Sequence, residues 1–289
     1  PKCANLGYRI HYRVDGGAWM QVANQNAVFT VSGEGIHTVE YYSVDGVGNQ
    51  ETTRSFQVKI DATPPSAPGS IVETHGVVSG QWQRAISDPT FTWTPATDTG
   101  SGVDYYYITG WPFLGGRRDS PSFDPPAVRT GSYTFEVFAF DKAGNEGPRR
   151  SFTFNYDGTP PPAPAIENLD GVASGVWQNQ VRTANFQWPT PVDAGSGVKG
   201  YYRYWGADPN GTSAVLVTSN AFSTPTPFCA EDDACTHYLR ARSEDHVGWQ
   251  SDWTTFVMRY DGVPPTAELV ANYGLPTAHQ TLVHLAISA

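Results

Sequence analysis

The chain has 289 residues, a formal net charge of −10 and only 16% charged residues, set against 29 glycines, 23 prolines and 13% aromatic residues. Phosphate binding needs clustered cations, so 18 Lys and Arg scattered along an acidic chain exclude a nucleic-acid surface. No run of 18 apolar residues occurs and no helical membrane span is predicted; the Gly, Pro and aromatic balance suits short strands joined by turns.

The chain starts at Pro1, without an initiator Met, and reads as processed or excerpted. Cys3 has no evident partner. Residues 8–17 alternate in character, with Ile10, Tyr12 and Val14 on one strand face. A turn, Asp45-Gly46-Val47-Gly48-Asn49, is followed by a strand in which Phe56, Val58 and Ile60 alternate again, up to Asp61-Ala62-Thr63-Pro64-Pro65.

This cadence repeats. The boundary phrase returns at Asp157-Gly158-Thr159-Pro160-Pro161 and Asp261-Gly262-Val263-Pro264-Pro265, after 96 and 104 residues. The turn returns at Asp141-Lys142-Ala143-Gly144-Asn145 and Asp245-His246-Val247-Gly248-Trp249, with the same two spacings. Opening segments also match: Ser79-Gly80-Gln81-Trp82-Gln83 with Ser174-Gly175-Val176-Trp177-Gln178, and Asp98-Thr99-Gly100-Ser101-Gly102 with Asp193-Ala194-Gly195-Ser196-Gly197. Before the second turn, Tyr133, Phe135, Val137 and Ala139 share one face at strand period.

Asp45, Asp141 and Asp245 are read as turn-stabilising, because a carboxylate there accepts backbone N–H bonds and the following Gly permits positive φ. A calcium loop needs several converging oxygens, and no loop repeats a dense acidic pattern, so no metal is expected. Glu231, Asp232 and Asp233 are the acidic stretch to weigh as a metal site against a solvated loop. They lie between Cys229 and Cys235, a candidate disulfide that would imply an oxidising compartment.

With these landmarks the chain resembles the bacterial immunoglobulin-like and fibronectin type III-like repeats of large surface proteins. Those repeats end in a strand, an Asp-x-x-Gly-Asn hairpin, a strand and Asp-x-Thr-Pro-Pro. The resemblance covers essentially the whole chain, with Trp249 in place of the hairpin Asn and Val263 in place of the linker Thr. It implies an all-β, elongated tandem array of β-sandwich domains, extracellular or on the cell surface. Such repeats serve as stalks, adhesins, filament subunits and enzyme accessories, so the resemblance specifies architecture more than function.

Counted from the linkers, 62–157 and 158–261 are complete domains, 1–61 is a sandwich lacking its first two strands, and 262–289 carries two opening strands. Leu269, Val283, Leu285 and Ile287 then form a donor face, and Ile10, Tyr12, Val14, Phe56 and Val58 an acceptor face. Burying four such donor side chains is worth about 6–12 kcal/mol. Either the hairpin completes the half-domain of the next subunit in a head-to-tail homopolymer, or neighbouring repeats of a longer chain supply the missing halves.

Arg240 and Arg242 on one strand and Trp249 and Trp253 on its neighbour suggest a cation–π ladder confined to the last repeat. Trp111, Phe113, Trp205 and the tyrosines near 105 and 201 are either core or a glycan-stacking platform, and Asn210-Gly211-Thr212 is a formal glycosylation sequon. No nucleophile with a base, no paired carboxylates and no spaced metal ligands emerge, so neither catalysis nor a cofactor is expected. The expected function is structural, with an adhesin or carbohydrate-binding region, or an accessory region of a secreted enzyme, as the alternative.

Overall fold

The computed structural model describes residues 7, 9–22, 27–112, 115–271 and 285–288, of which 268–271 and 285–288 are described as backbone. By contacts the chain divides into two compact units. One comprises Pro1–Gln81, Ile86–Val128 and Ser132–Asn155, the other Trp82–Ala85, Arg129–Gly131 and Tyr156–Ala289. No described helix is long and apolar enough to cross a membrane.

The first unit opens with β1 (Arg9–Val14), β2 (Met20–Val22), β3 (Gly35–Val44) and β4 (Arg54–Ile60), in one antiparallel sheet of order β2-β1-β3-β4. Register aligns Val14, Val39 and Phe56 in one cross-strand row.

Eight strands follow, of which β6 falls by contacts in the other unit: β5 (Ile71–Glu73), β6 (Trp82–Gln83), β7 (Phe91–Trp93), β8 (Val103–Thr109), β9 (Gly116–Arg118), β10 (Ser122–Phe123), β11 (Gly131–Asp141) and β12 (Arg150–Tyr156). A three-stranded sheet of order β10-β7-β5 packs on a sheet that runs β12-β11-β8-β9. Phe91 is the hinge of this packing, fully buried, with its ring centroid 4.9 Å from Phe135, 5.1 Å from Phe152 and 5.9 Å from Phe154. Aromatic pairs of this kind add about 0.5–1.5 kcal/mol each beyond the area they bury. The inward set of β11 is Phe135, Val137 and Ala139, all inaccessible to solvent.

The second unit repeats the plan with β13 (Glu167–Asn168), β14 (Trp177–Gln178), β15 (Asn185–Gln187), β16 (Val198–Gly206), β17 (Leu216–Val217), β18 (Ala221–Ser223), β19 (Ala234–Asp245) and β20 (Thr254–Asp261). Its sheets are β13-β15-β18 and β14-β20-β19-β16-β17, with β14 joined in parallel to β20. Phe186, Leu239, Phe256 and Met258 form the core between them. The Trp188–Tyr201 edge contact at 5.4 Å repeats that of Trp93 and Tyr106, also 5.4 Å, 95 residues earlier. The all-β tandem-sandwich expectation therefore holds. A final hairpin, β21 (Glu268–Ala271) with β22 (Leu285–Ser288), forms a sheet of its own.

The strand ends follow from side-chain acceptors. Asp61, Asp157 and Asp261 each accept the N–H of the residue two positions on, Thr63, Thr159 and Val263, at 3.1, 3.3 and 3.0 Å. The following proline pair has no N–H and cannot continue a ladder. Because the bond uses the backbone amide, Val263 serves as well as Thr.

An equivalent device closes the turn after the first strand of each sandwich. Glu73, 1% exposed, accepts His75 N at 2.8 Å and Val77 N at 3.2 Å, as Asn168 accepts Asp170 N and Val172 N at 3.0 Å. Burial would raise the Glu73 pKa, but the His75 ring and the N–H groups of Val77, His75 and Thr90 outweigh it and hold the carboxyl below the ordinary glutamate value of 4.5. A depressed carboxylate contributes stability above its unfolded pKa and loses it as pH falls through the folded one. Urea unfolding of the first unit between about pH 5 and pH 3 should therefore show a loss of stability that Glu73→Gln reduces, with Glu73→Gln less stable than wild type at neutral pH.

Candidate functional site

Each long strand that leads into the repeated hairpin ends in, or is directly followed by, an aspartate whose carboxylate organises the turn. Asp45 Oδ1 accepts Val47 N at 3.0 Å and Asn49 N at 2.8 Å, and its Oδ2 accepts Asn49 Nδ2 at 2.8 Å. The Asn49 amide, more than any other contact, lowers the pKa of Asp45. Asp141 holds Asn145 in the same way, N to Oδ1 and Nδ2 to Oδ2, both at 2.8 Å. Gly48, Gly144 and Gly248 adopt φ of 94°, 95° and 87°, which a side chain would strain.

In the last copy Trp249 occupies the Asn position. Its backbone N still donates to Asp245 Oδ1, at 2.8 Å, and its indole Nε1 reaches Asp157 O at 3.0 Å, as Asn145 Nδ2 reaches Asp61 O at 3.1 Å. The second carboxylate oxygen loses its donor. Asp245 is fully buried, and burial, reinforced by the Asp157 charge, raises its pKa.

These aspartates do more than turn the chain. Asp61, Asp98 and Asp141 converge in the first unit, and Asp157, Asp193 and Asp245 in the second, with one carboxylate oxygen of each within 4.8 Å of the others. Loop amides hold them: Ser101 N and Gly102 N donate to Asp61 and Asp98 at 2.5 Å, Ser196 N and Gly197 N to Asp157 and Asp193 at 2.8 and 2.7 Å. A Cβ on Gly100 or Gly195 would collide with the carboxylate of Asp61 or Asp157. Neither trio shows in the sequence as a dense acidic loop, because each segment supplies a single carboxylate. The signal present was the equal spacing of three separate Asp landmarks.

In the acidic stretch between the cysteines, two of the three carboxylates have partners of their own. Glu231 pairs with Arg182 at 3.6 Å, and Asp233 Oδ1 accepts Ala234 N at 2.8 Å.

The ladder differs from expectation. Arg240 and Arg242 lie over Trp253 at 5.1 and 4.8 Å, and Arg242 also over Tyr202 at 5.0 Å. Trp249 does not join it: its ring is covered by Arg84, at 5.0 Å. The reason is that only Gln250 bridges back to the long strand before residues 251–253 leave the ladder, so strand alternation does not connect Trp249 with Trp253. Single arginine-on-aromatic contacts also occur in the first unit, where Arg117 covers Tyr105 at 4.3 Å and Arg149 covers Phe138 at 4.0 Å. Trp111 is 5% exposed and belongs to the Phe91 cluster, which leaves no face for a sugar. Phe113 lies outside the described residues.

On the opening sheet, Ile10, Tyr12, Phe29, Val39, Tyr41 and Phe56 line an open groove of about 320 Å³. Val14 and Val58 are half-buried beside it. Leu269 lies opposite Ile287 and Ala271 opposite Leu285 in the hairpin, and Val283 lies outside the described residues.

No family model matches the chain. Exoglucanase B of Cellulomonas fimi is 27% identical over 236 residues, covering 79% of this chain; the chain spans only 20% of that protein's length. Among solved structures, the FN1–FN3 domains of chicken CNTN1 align at 13% identity over 88% of this chain and 91% of that one, with a TM-score of 0.29. The fibronectin(III)-like modules of Clostridium thermocellum CbhA align at 11% identity over 66% and 94%, with a TM-score of 0.28.

Cys229 and Cys235 are joined by a disulfide at the entry to β19, and Cys229 is 5% exposed. Closing so short a loop restricts the unfolded chain by about 2 kcal/mol. Urea unfolding of the second unit with and without reductant, or of Cys229→Ser with Cys235→Ser, should show a loss of about that size and leave the first unit unchanged.

Proposed function

Starting from tandem fibronectin type III-like modules, we infer that this chain is a non-catalytic accessory region of a larger secreted enzyme that degrades a polysaccharide. The observation that carries the reading is the alignment of 79% of the chain with one fifth of a protein named as an exoglucanase. The disulfide between Cys229 and Cys235 suits export to an oxidising compartment. In this role the modules hold a catalytic domain at a distance from its other parts, and their own polar groups close turns. The reading frame that encodes the chain is expected to carry a glycoside hydrolase domain. Deleting the modules from that protein should lower hydrolysis of insoluble cellulose and leave turnover of a soluble oligosaccharide unchanged. A complete reading frame without a hydrolase domain, or equal loss on both substrates, overturns the reading.

One observation favours a second role. Phe56 is 50% exposed, whereas Phe152, its counterpart 96 residues on, is 4% exposed beneath a facing sheet. The opening sheet thus offers an apolar face that a two-strand hairpin of the kind formed by β21 and β22 would cover, donated by a second copy of the chain or by an adjoining repeat. If copies complement one another, sedimentation should show polymers that grow with concentration and disappear in Phe56→Arg. A monomer at every concentration leaves the adjoining repeat as the donor.

A further inference from the structure

We propose that Asp157, Asp193 and Asp245 form a calcium site at one end of the second unit. The inference goes beyond the accessory role and does not depend on it.

Oxygens bound to one calcium ion lie about 2.3–2.6 Å from it, so any two are at most about 5 Å apart. The three carboxylates meet that condition, each offering an oxygen within 4.8 Å of the other two. They also arrive from separate segments, the residue that follows β12 at the start of the linker, the loop before β16 and the turn after β19, so an ion there ties three distant stretches of chain together.

A second observation is independent of the clustering. Asp245 is fully buried, and its Oδ2 has no hydrogen-bond partner, while Oδ1 is occupied by Val247 N and Trp249 N. A bare carboxylate oxygen in the interior is costly unless something positive meets it. The buried hydroxyl of Ser196, whose own amide binds Asp157, is likewise without a partner.

The corresponding cluster of the first unit shows what has been removed. There Asn145 Nδ2 donates to Asp141 Oδ2 at 2.8 Å. Lys142 brings its ammonium to the same loop, 3.5 Å from where a Cβ on Gly102 would stand. In the second unit, Trp249 replaces the amide donor and an exposed His246 replaces the lysine. Arg84 does not take their place, since its guanidinium donates to Gly248 O at 2.7 Å and covers the Trp249 ring. Two substitutions thus withdraw an amide donor and a nearby exposed cation from one of two otherwise matching sites. The donors that remain are all oxygen, which suits a hard divalent cation rather than zinc or copper.

The test uses the whole chain stripped with chelator and titrated with calcium chloride, followed by calorimetric unfolding and by terbium luminescence excited through tryptophan. Calcium should raise the unfolding midpoint of the second transition progressively with concentration. Terbium should light up, and calcium should displace it. Asp193→Asn, at the less buried corner, should weaken calcium binding about tenfold or more, because ligand charge count sets affinity. Asp98→Asn in the first unit should leave it unchanged. If calcium moves neither transition of the wild type, or moves the second one equally in wild type and Asp193→Asn, the proposal is overturned. It is also overturned if calcium has no effect while Asp245→Asn alone raises the midpoint, because the cluster is then relieved by a proton and not by an ion.

Discussion

A carboxylate placed where a strand ends is the interaction on which the rest of this chain depends. A β-sandwich has to stop its long strands without leaving amides unpaired, and an aspartate accepts two or three N–H groups at once. Asp45, Asp141 and Asp245 do this at the hairpins, and Asp61, Asp157 and Asp261 at the proline linkers. The hairpin and linker acids also lie within reach of a third, Asp98 or Asp193, so the mouth of the loop before β8 or β16 is fixed by the same charges. Turn geometry, linker direction and loop position are one electrostatic arrangement, which is why a single change from Asn to Trp alters the chemistry of the whole corner.

Between those corners the sandwiches are held by different means on their two faces. Inside, packed rings and aliphatic side chains exclude water around Phe91 in the first unit and Phe186 in the second. On the outer face, guanidinium groups cover aromatic rings of the larger sheets, Arg149 over Phe138 and Arg242 over Tyr202, leaving Phe138 only 4% exposed. Arginine covers apolar surface there while remaining hydrated at its edges, so the outer face keeps its aromatic side chains without presenting a bare hydrophobic patch.

The repeat, the strand alternation of β11 and the proline-terminated linkers were legible in the sequence because each is a local, periodic signal. Phe135, Val137 and Ala139 announce a buried face by spacing alone. The Asp trios were not legible in that way: Asp157, Asp193 and Asp245 are tens of residues apart, and their convergence is a property of the folded sandwich. Trp249 misled for a related reason. Strand period does not run through residues 251–253, where the chain has left its ladder, and no propensity marks that departure. The pairing of Arg84 with Trp249 joins positions 165 residues apart, beyond the reach of any window.

The short disulfide also bears on the strand pairing beside it. Ala234, next to Cys235, faces Asp261 in the first rung of an eight-rung ladder between β19 and β20. The cross-link anchors the chain beside that first rung, at the end of the ladder farthest from its turn, where an antiparallel pair otherwise frays first, so the pairing of β19 with β20 starts from a tethered strand.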